Sequence, residues 1–132
     1  MSDMGTFRTT IQIASHARPD ELRELANVLV DTGSELTWVP REILESLGIR
    51  PLKTLRFRVA DGRTFERQVG YAIIHTGGTQ TTDEVAFGEP GDMILLGARA
   101  MEGLNLRVEP RLKRLVDAGP IDAAGSLIAS HQ

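Results

Sequence analysis

The chain has no cysteine among its 132 residues. Disulfides, thiolate zinc sites and cysteine nucleophiles are therefore excluded. A basic surplus is missing as well. Fifteen Lys and Arg face 18 Asp and Glu, a formal net charge of −3. No electrostatic footprint for nucleic acid follows from that balance. The local cluster Arg107, Arg111, Lys113 and Arg114 reads as a solvated face. Long apolar runs are absent, so neither a transmembrane helix nor a signal peptide is expected. A cytoplasmic protein with no membrane partner is the expectation. His16, His75 and His131 lie far apart and form neither H-x-H nor H-E-x-x-H. No metal and no cofactor are expected. Phosphate-cradling glycine motifs are also missing.

What remains is the composition of one ordinary globular domain, 41% hydrophobic and 25% charged. Thr6–Ile13 alternates with strand period, placing Phe7, Thr9, Ile11 and Ile13 on one face. Arg18-Pro19-Asp20 reads as a turn. Glu21–Ala26 is ambiguous, because Leu22, Leu25 and Ala26 have helical spacing while Val28-Leu29-Val30 favours extended chain. Pro40–Gly48 predicts a short helix, with proline tolerated at its start and glycine as its stop. Leu55–Val59 and Phe65–Ile73 alternate strictly around Asp61-Gly62, which predicts a long hairpin with Asp61-Gly62-Arg63 at its tip. Further turns are expected at Thr76–Thr79 and Glu89–Asp92. Met93–Leu96 predicts a strand buried on both faces. A short helix from Ala98 to Leu104 and strands near Leu104–Val108 and Leu115-Val116 complete the domain. The expected domain covers residues 1–116, and residues 117–132 read as a loose tail. The sum is a mostly β fold with one or two short helices.

Asp31-Thr32-Gly33-Ser34 is the one constellation that carries chemistry. It stands between the apolar runs Ala26–Val30 and Leu36–Val39, which implies strand, sharp polar turn, strand. Two carboxylates facing one water share a proton, because like-charge repulsion separates their apparent pKa values. The ionised member takes a proton from the water and the protonated member polarises a substrate carbonyl. Only one such tetrapeptide is present, so the second carboxylate must come from a second copy of the chain. In that scheme Thr32 offers a hydroxyl to the partner chain. Gly33 allows close backbone approach and brings an N–H to the carboxylate. Ser34 donates to the outer carboxylate oxygen. The structural alternative is an Asx-type turn in which Asp31 bonds its own backbone and Gly33 supplies positive φ.

Three pieces in order resemble the retropepsin-like, single-domain aspartic proteases. They are Leu29-Val30-Asp31-Thr32-Gly33-Ser34, the hairpin around Asp61-Gly62, and Ile94-Leu95-Leu96-Gly97 before the Ala98–Leu104 helix. The resemblance implies a closed, acid-protease-like β-barrel acting as a homodimer. It implies a cleft for a peptide or protein substrate across the two-fold axis, with Asp31 from each chain as the catalytic pair. Thr32, Gly33 and Ser34 would support the site. Ala60, Asp61, Gly62 and Arg63 would form the substrate-covering flap, and Leu96 and Gly97 the second loop element. Two departures stand out. The segment between Asp31 and the hairpin tip is longer than in the retroviral enzymes, and the tip carries Asp61 and Arg63 instead of small apolar residues. The charged tip, with a neutral cytoplasm in which an acid-tuned dyad would be slow, motivates a second reading, a dimeric peptide-binding module of weak or no activity. A third is a monomeric β domain in which Asp-Thr-Gly is only a turn.

Other residues read more plainly. Trp38 is expected to pack, and Tyr71 to pack across strands. Arg56, Arg58 and Arg67 are expected on the solvent face of the hairpin. Asp83, Glu84, Glu89 and Asp92 are expected in solvated loops, with no calcium-loop spacing among them.

Overall fold

The computed structural model describes residues 6–125. Its first two strands, β1 (Thr6–Ala14) and β2 (Arg23–Asp31), pair antiparallel, from Thr6 opposite Asp31 to Ile13 opposite Arg23. The register shifts between Thr9 and Ile11, where Ala26 and Asn27 bulge out of β2. Asn27 takes φ 58° there, a left-handed value that asparagine tolerates better than most residues. Of the helix-spaced Leu22, Leu25 and Ala26, only Leu25 is buried, so no helical face forms. Leu25 and Val28, three apart, both face the core, and ordinary alternation resumes with Val30. The ambiguity at Glu21–Ala26 thus resolves as extended chain.

Next come β3 (Thr37–Pro40) and α1 (Arg41–Ser46). Pro40 occupies the helix N-cap, one place before the first helical residue. Gly48 takes φ 77° and its N–H donates to the Glu45 carbonyl at 2.9 Å, which stops the helix. Fully buried Leu44 docks α1 on the core; burial of such a side chain contributes about 1.5–3 kcal/mol.

The expected hairpin is β4 (Lys53–Arg58) with the first half of β5 (Thr64–Thr76), in register from Lys53–Val69 to Arg58–Thr64. The second half of β5 pairs with β6 (Thr79–Gly88) through the Gly77-Gly78 turn. Residues 73–75 of β5 also pair with β1. Strand β7 (Leu95–Leu96) runs parallel to β2 and lies between β2 and β3. The strand order is therefore β1-β2-β7-β3-β6-β5, and the β5–β1 pairing closes it into a ring. Strand β4 lies outside that ring, on β5 alone. The core inside includes Ile11, Ile13, Val28, Val30, Val39, Ile74, Val85, Phe87 and Leu96.

Met93–Leu96 is shorter as a strand than its apolar run suggests. Only Leu95 and Leu96 pair, and Met93 is half exposed. The Glu89–Asp92 turn sits too close before it for Met93 to reach a neighbouring strand. Helix α2 (Ala98–Leu104) follows, buries Ala100, Met101 and Leu104, and ends at Asn105 in left-handed conformation. A separate hairpin of β8 (Leu106–Glu109) and β9 (Arg114–Asp117) closes the domain. Beyond it, the Ala118 N–H bonds the Asn105 carbonyl and the Asn105 amide bonds the Gly119 carbonyl. The chain just past residue 117 is thus tied back to the helix end. The last seven residues of the expected tail lie outside the described residues. No helix among the described residues is long and apolar enough to cross a membrane.

Candidate active site

Asp31 is the last residue of β2, and the paired strands on either side fix where its chain turns. Parallel pairing places Leu29 and Val30 beside Leu95 and Leu96, and the Leu29 N–H bonds the Ile94 carbonyl at 3.1 Å. The chain then reverses. The Gly33 N–H donates to Asp31 Oδ1 at 2.9 Å, and the Ser34 N–H donates to the Asp31 carbonyl at 3.1 Å. Gly33 is absent from the positive-φ residues, so conformational freedom is not why glycine stands here. Space is the reason: a Cβ at residue 33 would sit 3.2 Å from Asp31 Oδ1. Ser34 departs from its expected role. Its hydroxyl donates to the Leu36 carbonyl at 2.8 Å and braces the loop instead of touching the carboxylate.

Helix α2 holds this loop from behind. The N–H groups of Ala98 and Arg99 donate to the carbonyls of Ser34 and Glu35 at 2.7 and 3.1 Å. Gly97 allows that approach, because a Cβ there would fall 2.3 Å from the Leu36 carbonyl oxygen. The Gly97 N–H donates to the buried Thr37 hydroxyl at 3.0 Å. Leu96 is fully buried in the core. Leu96 and Gly97 thus support the loop from the interior, outside the lining of the cleft.

A cleft of about 710 Å³ opens over Asp31. Gly33, Ser34, Glu35 and Leu36 line it on one side, and residues 55–60 of β4 and its exit on the other. Ala60 belongs to that lining; Thr32, Asp61, Gly62 and Arg63 do not. At the hairpin tip Arg63 folds back on Asp61, with Nε 2.7 Å from Oδ2. The hairpin stands on an aromatic cluster. Phe57 and Phe65 pack on Trp38 with ring centroids 5.0 and 6.0 Å away. Such pairs contribute about 0.5–1.5 kcal/mol beyond area burial. Trp38 therefore packs, as expected, and its edge also reaches the cleft. Tyr71 is nearly half exposed and stands across the strands from Glu84.

Charged residues depart furthest from their sequence reading. Arg67 is mostly buried. Its guanidinium lies 4.8 Å over the Phe65 ring and grips Asp92 through two bonds of 2.7 and 2.9 Å. Asp92 also accepts the Glu89 N–H at 2.7 Å. The bond from Arg67, reinforced by that N–H and opposed by partial burial, holds the Asp92 carboxyl below its ordinary range. Asp83 and Glu84 lie in β6, and Glu84 is 8% exposed. Burial there raises the Asp83 carboxyl above its ordinary range. Arg99 and Lys53 pair with Glu84. Short-range alternation carries no sign of these pairs, since each joins residues at least 15 apart. Among the described residues no group of His, Asp and Glu is arranged to hold a metal ion.

A model of an aspartyl protease family matches residues 23–100, which include the Asp31 loop, the hairpin and the Gly97 turn. The chain belongs to this aspartyl protease family. No curated protein matches it. Among solved structures it is similar to the simian foamy virus (mac) protease, determined in solution. The two share 24% identity over 73% of this chain and 92% of that one, with a TM-score of 0.52. That likeness concerns the fold. The family match runs from the start of β2 to the first turn of α2, the segment that builds and buttresses the loop of Asp31.

Proposed function

We propose that this protein is an aspartic endopeptidase active as a homodimer. A water held between Asp31 of one chain and Asp31 of its partner is the nucleophile. One Asp31 carboxylate removes its proton as it attacks the scissile carbonyl carbon. The other carboxyl polarises the carbonyl oxygen and then supplies the proton that the leaving amine needs. The observation that carries this reading is the Asp31 loop. The Asp31 carboxylate sits in a peptide-sized cleft, oriented by a backbone N–H, on a loop locked from below by α2. In the dimer the ring of strands is read as the closed barrel of the fold, within a catalytic domain of residues 1–116. Thr32, exposed beside Asp31, would link the two loops across the two-fold axis. Ala60, Asp61, Gly62 and Arg63 would cover the bound peptide.

The test is cleavage of a mixed peptide library from pH 3 to 8, wild type beside Asp31→Asn, read by mass spectrometry. Cuts made only by the wild type are the expected result. Sedimentation of both proteins should show the same dimer. A wild type that sediments as a monomer while cutting peptides would refute the shared-dyad scheme. No cuts at any pH, with peptide still bound, would leave the binding-module reading in its place.

A further inference from the structure

The cleft carries a charge pattern that water activation does not use. Arg56, Arg58 and Arg99 are among its lining residues; on β4 the first two alternate with Leu55 and Phe57, and Phe57 packs on Trp38, so Arg99 is the cation placed beside the Asp31 loop. The cleft's carboxylates besides Asp31 are Glu35 and Asp92, and Arg67 already neutralises Asp92. Arg56 and Arg58 have no ion-pair partner among the described residues. Arg56 makes one neutral contact, to the Thr64 hydroxyl at 3.2 Å.

Arg99 is held in a different way. On one side its Nη1 donates to Glu84 Oε1 at 3.1 Å, and Glu84 is a buried residue of β6 that also pairs with Lys53. On the other side its Nε meets Glu35 at 3.4 Å, and the Glu35 side chain is 78% exposed. A buried carboxylate thus orients the guanidinium, while an exposed one covers it. Exposed pairs of that length contribute little and exchange readily. Arg99 also follows directly on the Ser34–Glu35 loop, because its own N–H bonds the Glu35 carbonyl. A preoriented cation with a weak counterion therefore stands beside the catalytic loop.

We infer that Arg99 is a specificity-determining residue that takes an Asp or Glu side chain of the substrate in place of Glu35. The substrate class is an extended peptide with an acidic residue close to the scissile bond. A guanidinium suits this task because it is always charged and offers a planar fork to a carboxylate. The inference rests on the proteolytic reading for its position relative to the bond cut, although the binding of an acidic side chain can be measured apart from it.

The experiment takes a peptide that the wild type cuts and places Glu or Gln in turn at each position flanking the cut. Assays run above about pH 5, where the glutamate is ionised. At one position the Glu peptide should have a kcat/KM about tenfold above its Gln partner, the size of one charge-assisted hydrogen bond. Arg99→Gln should lower the Glu peptide about tenfold more than the Gln peptide. Glu35→Gln should raise the Glu-to-Gln ratio by removing the competing counterion. Equal rates for Glu and Gln in the wild type overturn the inference. So does an equal loss on both peptides in Arg99→Gln, which would mark Arg99 as a structural brace. If the wild type cuts nothing, the proteolytic reading fails separately. Labelled library peptides that differ only by Glu in place of Gln, titrated by fluorescence anisotropy, then decide. Tighter binding of the Glu member that Arg99→Gln removes supports the acidic site, and equal binding refutes it.

Discussion

The two sides of the cleft are built on different principles. The Asp31 loop is held by backbone. Main-chain bonds join Leu29 to Ile94, Ser34 to Asp31, Ala98 to Ser34 and Arg99 to Glu35, and glycine at 97 permits the contact. The β4–β5 hairpin opposite is held by side chains: three aromatic rings and the Arg67–Asp92 pair. Its strand β4 has only β5 as a neighbour. Main-chain bonds between packed elements fix positions closely, as a catalytic carboxylate requires. A two-stranded arm resting on side chains opens at lower cost, as a cover over substrate requires. The contrast sets an expectation: damage to the loop should appear first as lost stability, and damage to the hairpin first as lost activity.

Gly97→Ala should have the largest effect. Its Cβ would overlap the Leu36 carbonyl, and relieving the overlap means moving α2 off the loop. We expect a loss of about 3 kcal/mol, the upper end of ordinary overpacking, measured by urea unfolding. Activity should fall in parallel. A mild stability change would mean that the loop is not locked from behind.

Phe57→Ala removes one ring from under the hairpin. Phe57 is only partly buried, so the cost should be about 1–2 kcal/mol, below the full core value for such a change. Here kcat/KM should drop further than stability alone explains. Limited proteolysis should also cut near residues 58–64 faster than in the wild type.

Asp92→Asn tests the ion pair that ties the hairpin to the Glu89–Asp92 turn. The folded-state carboxyl of Asp92 lies below its ordinary value. Its contribution is therefore fully present above about pH 4, the unfolded carboxylate range, and is lost as pH falls through the depressed folded value. The variant should be less stable than wild type by about 1 kcal/mol near pH 7, where one charged hydrogen-bonded partner is lost. The gap in Tm should close as pH falls below 4. A gap that stays constant with pH would show that the pair does not carry the difference.

Arg63→Ala should have the smallest effect. The tip pair with Asp61 is exposed on both sides, and such pairs contribute roughly 0–1 kcal/mol. Unchanged stability with altered kcat/KM would place the tip over bound peptide. Unchanged values of both would leave the tip outside the reaction.

Much of the loop was legible because its evidence is local. Asp31, Gly33 and Gly97 stand within short apolar contexts whose alternation and turns read directly. The hairpin showed for the same reason, since strict period two flanks Asp61-Gly62. The Ala26–Asn27 bulge was not legible as such. One inserted residue puts Leu25 and Val28, three apart, on the same face, which strict alternation does not produce. The Ser34 hydroxyl was misassigned because its acceptor, the Leu36 carbonyl, depends on how the loop turns after Gly33. The half exposure of Tyr71 was not legible, because alternation along β5 does not show which face of the sheet has a layer packed on it.

The sequence by itself determined most of the strands and turns and the Asp31 motif between its two apolar runs. Those properties follow from backbone preference and the chemistry of residues a few positions apart. Only the tertiary structure decided which charges are spent. Arg67 goes to Asp92, and Arg99 goes to Glu84 and Glu35, while Arg56 and Arg58 keep no partner among the described residues. Arg67 and Asp92 stand 25 positions apart in the chain, and Glu84 and Arg99 stand 15 apart. Packing alone brings them within reach, because electrostatic pairing depends on distance in space and is blind to order along the chain.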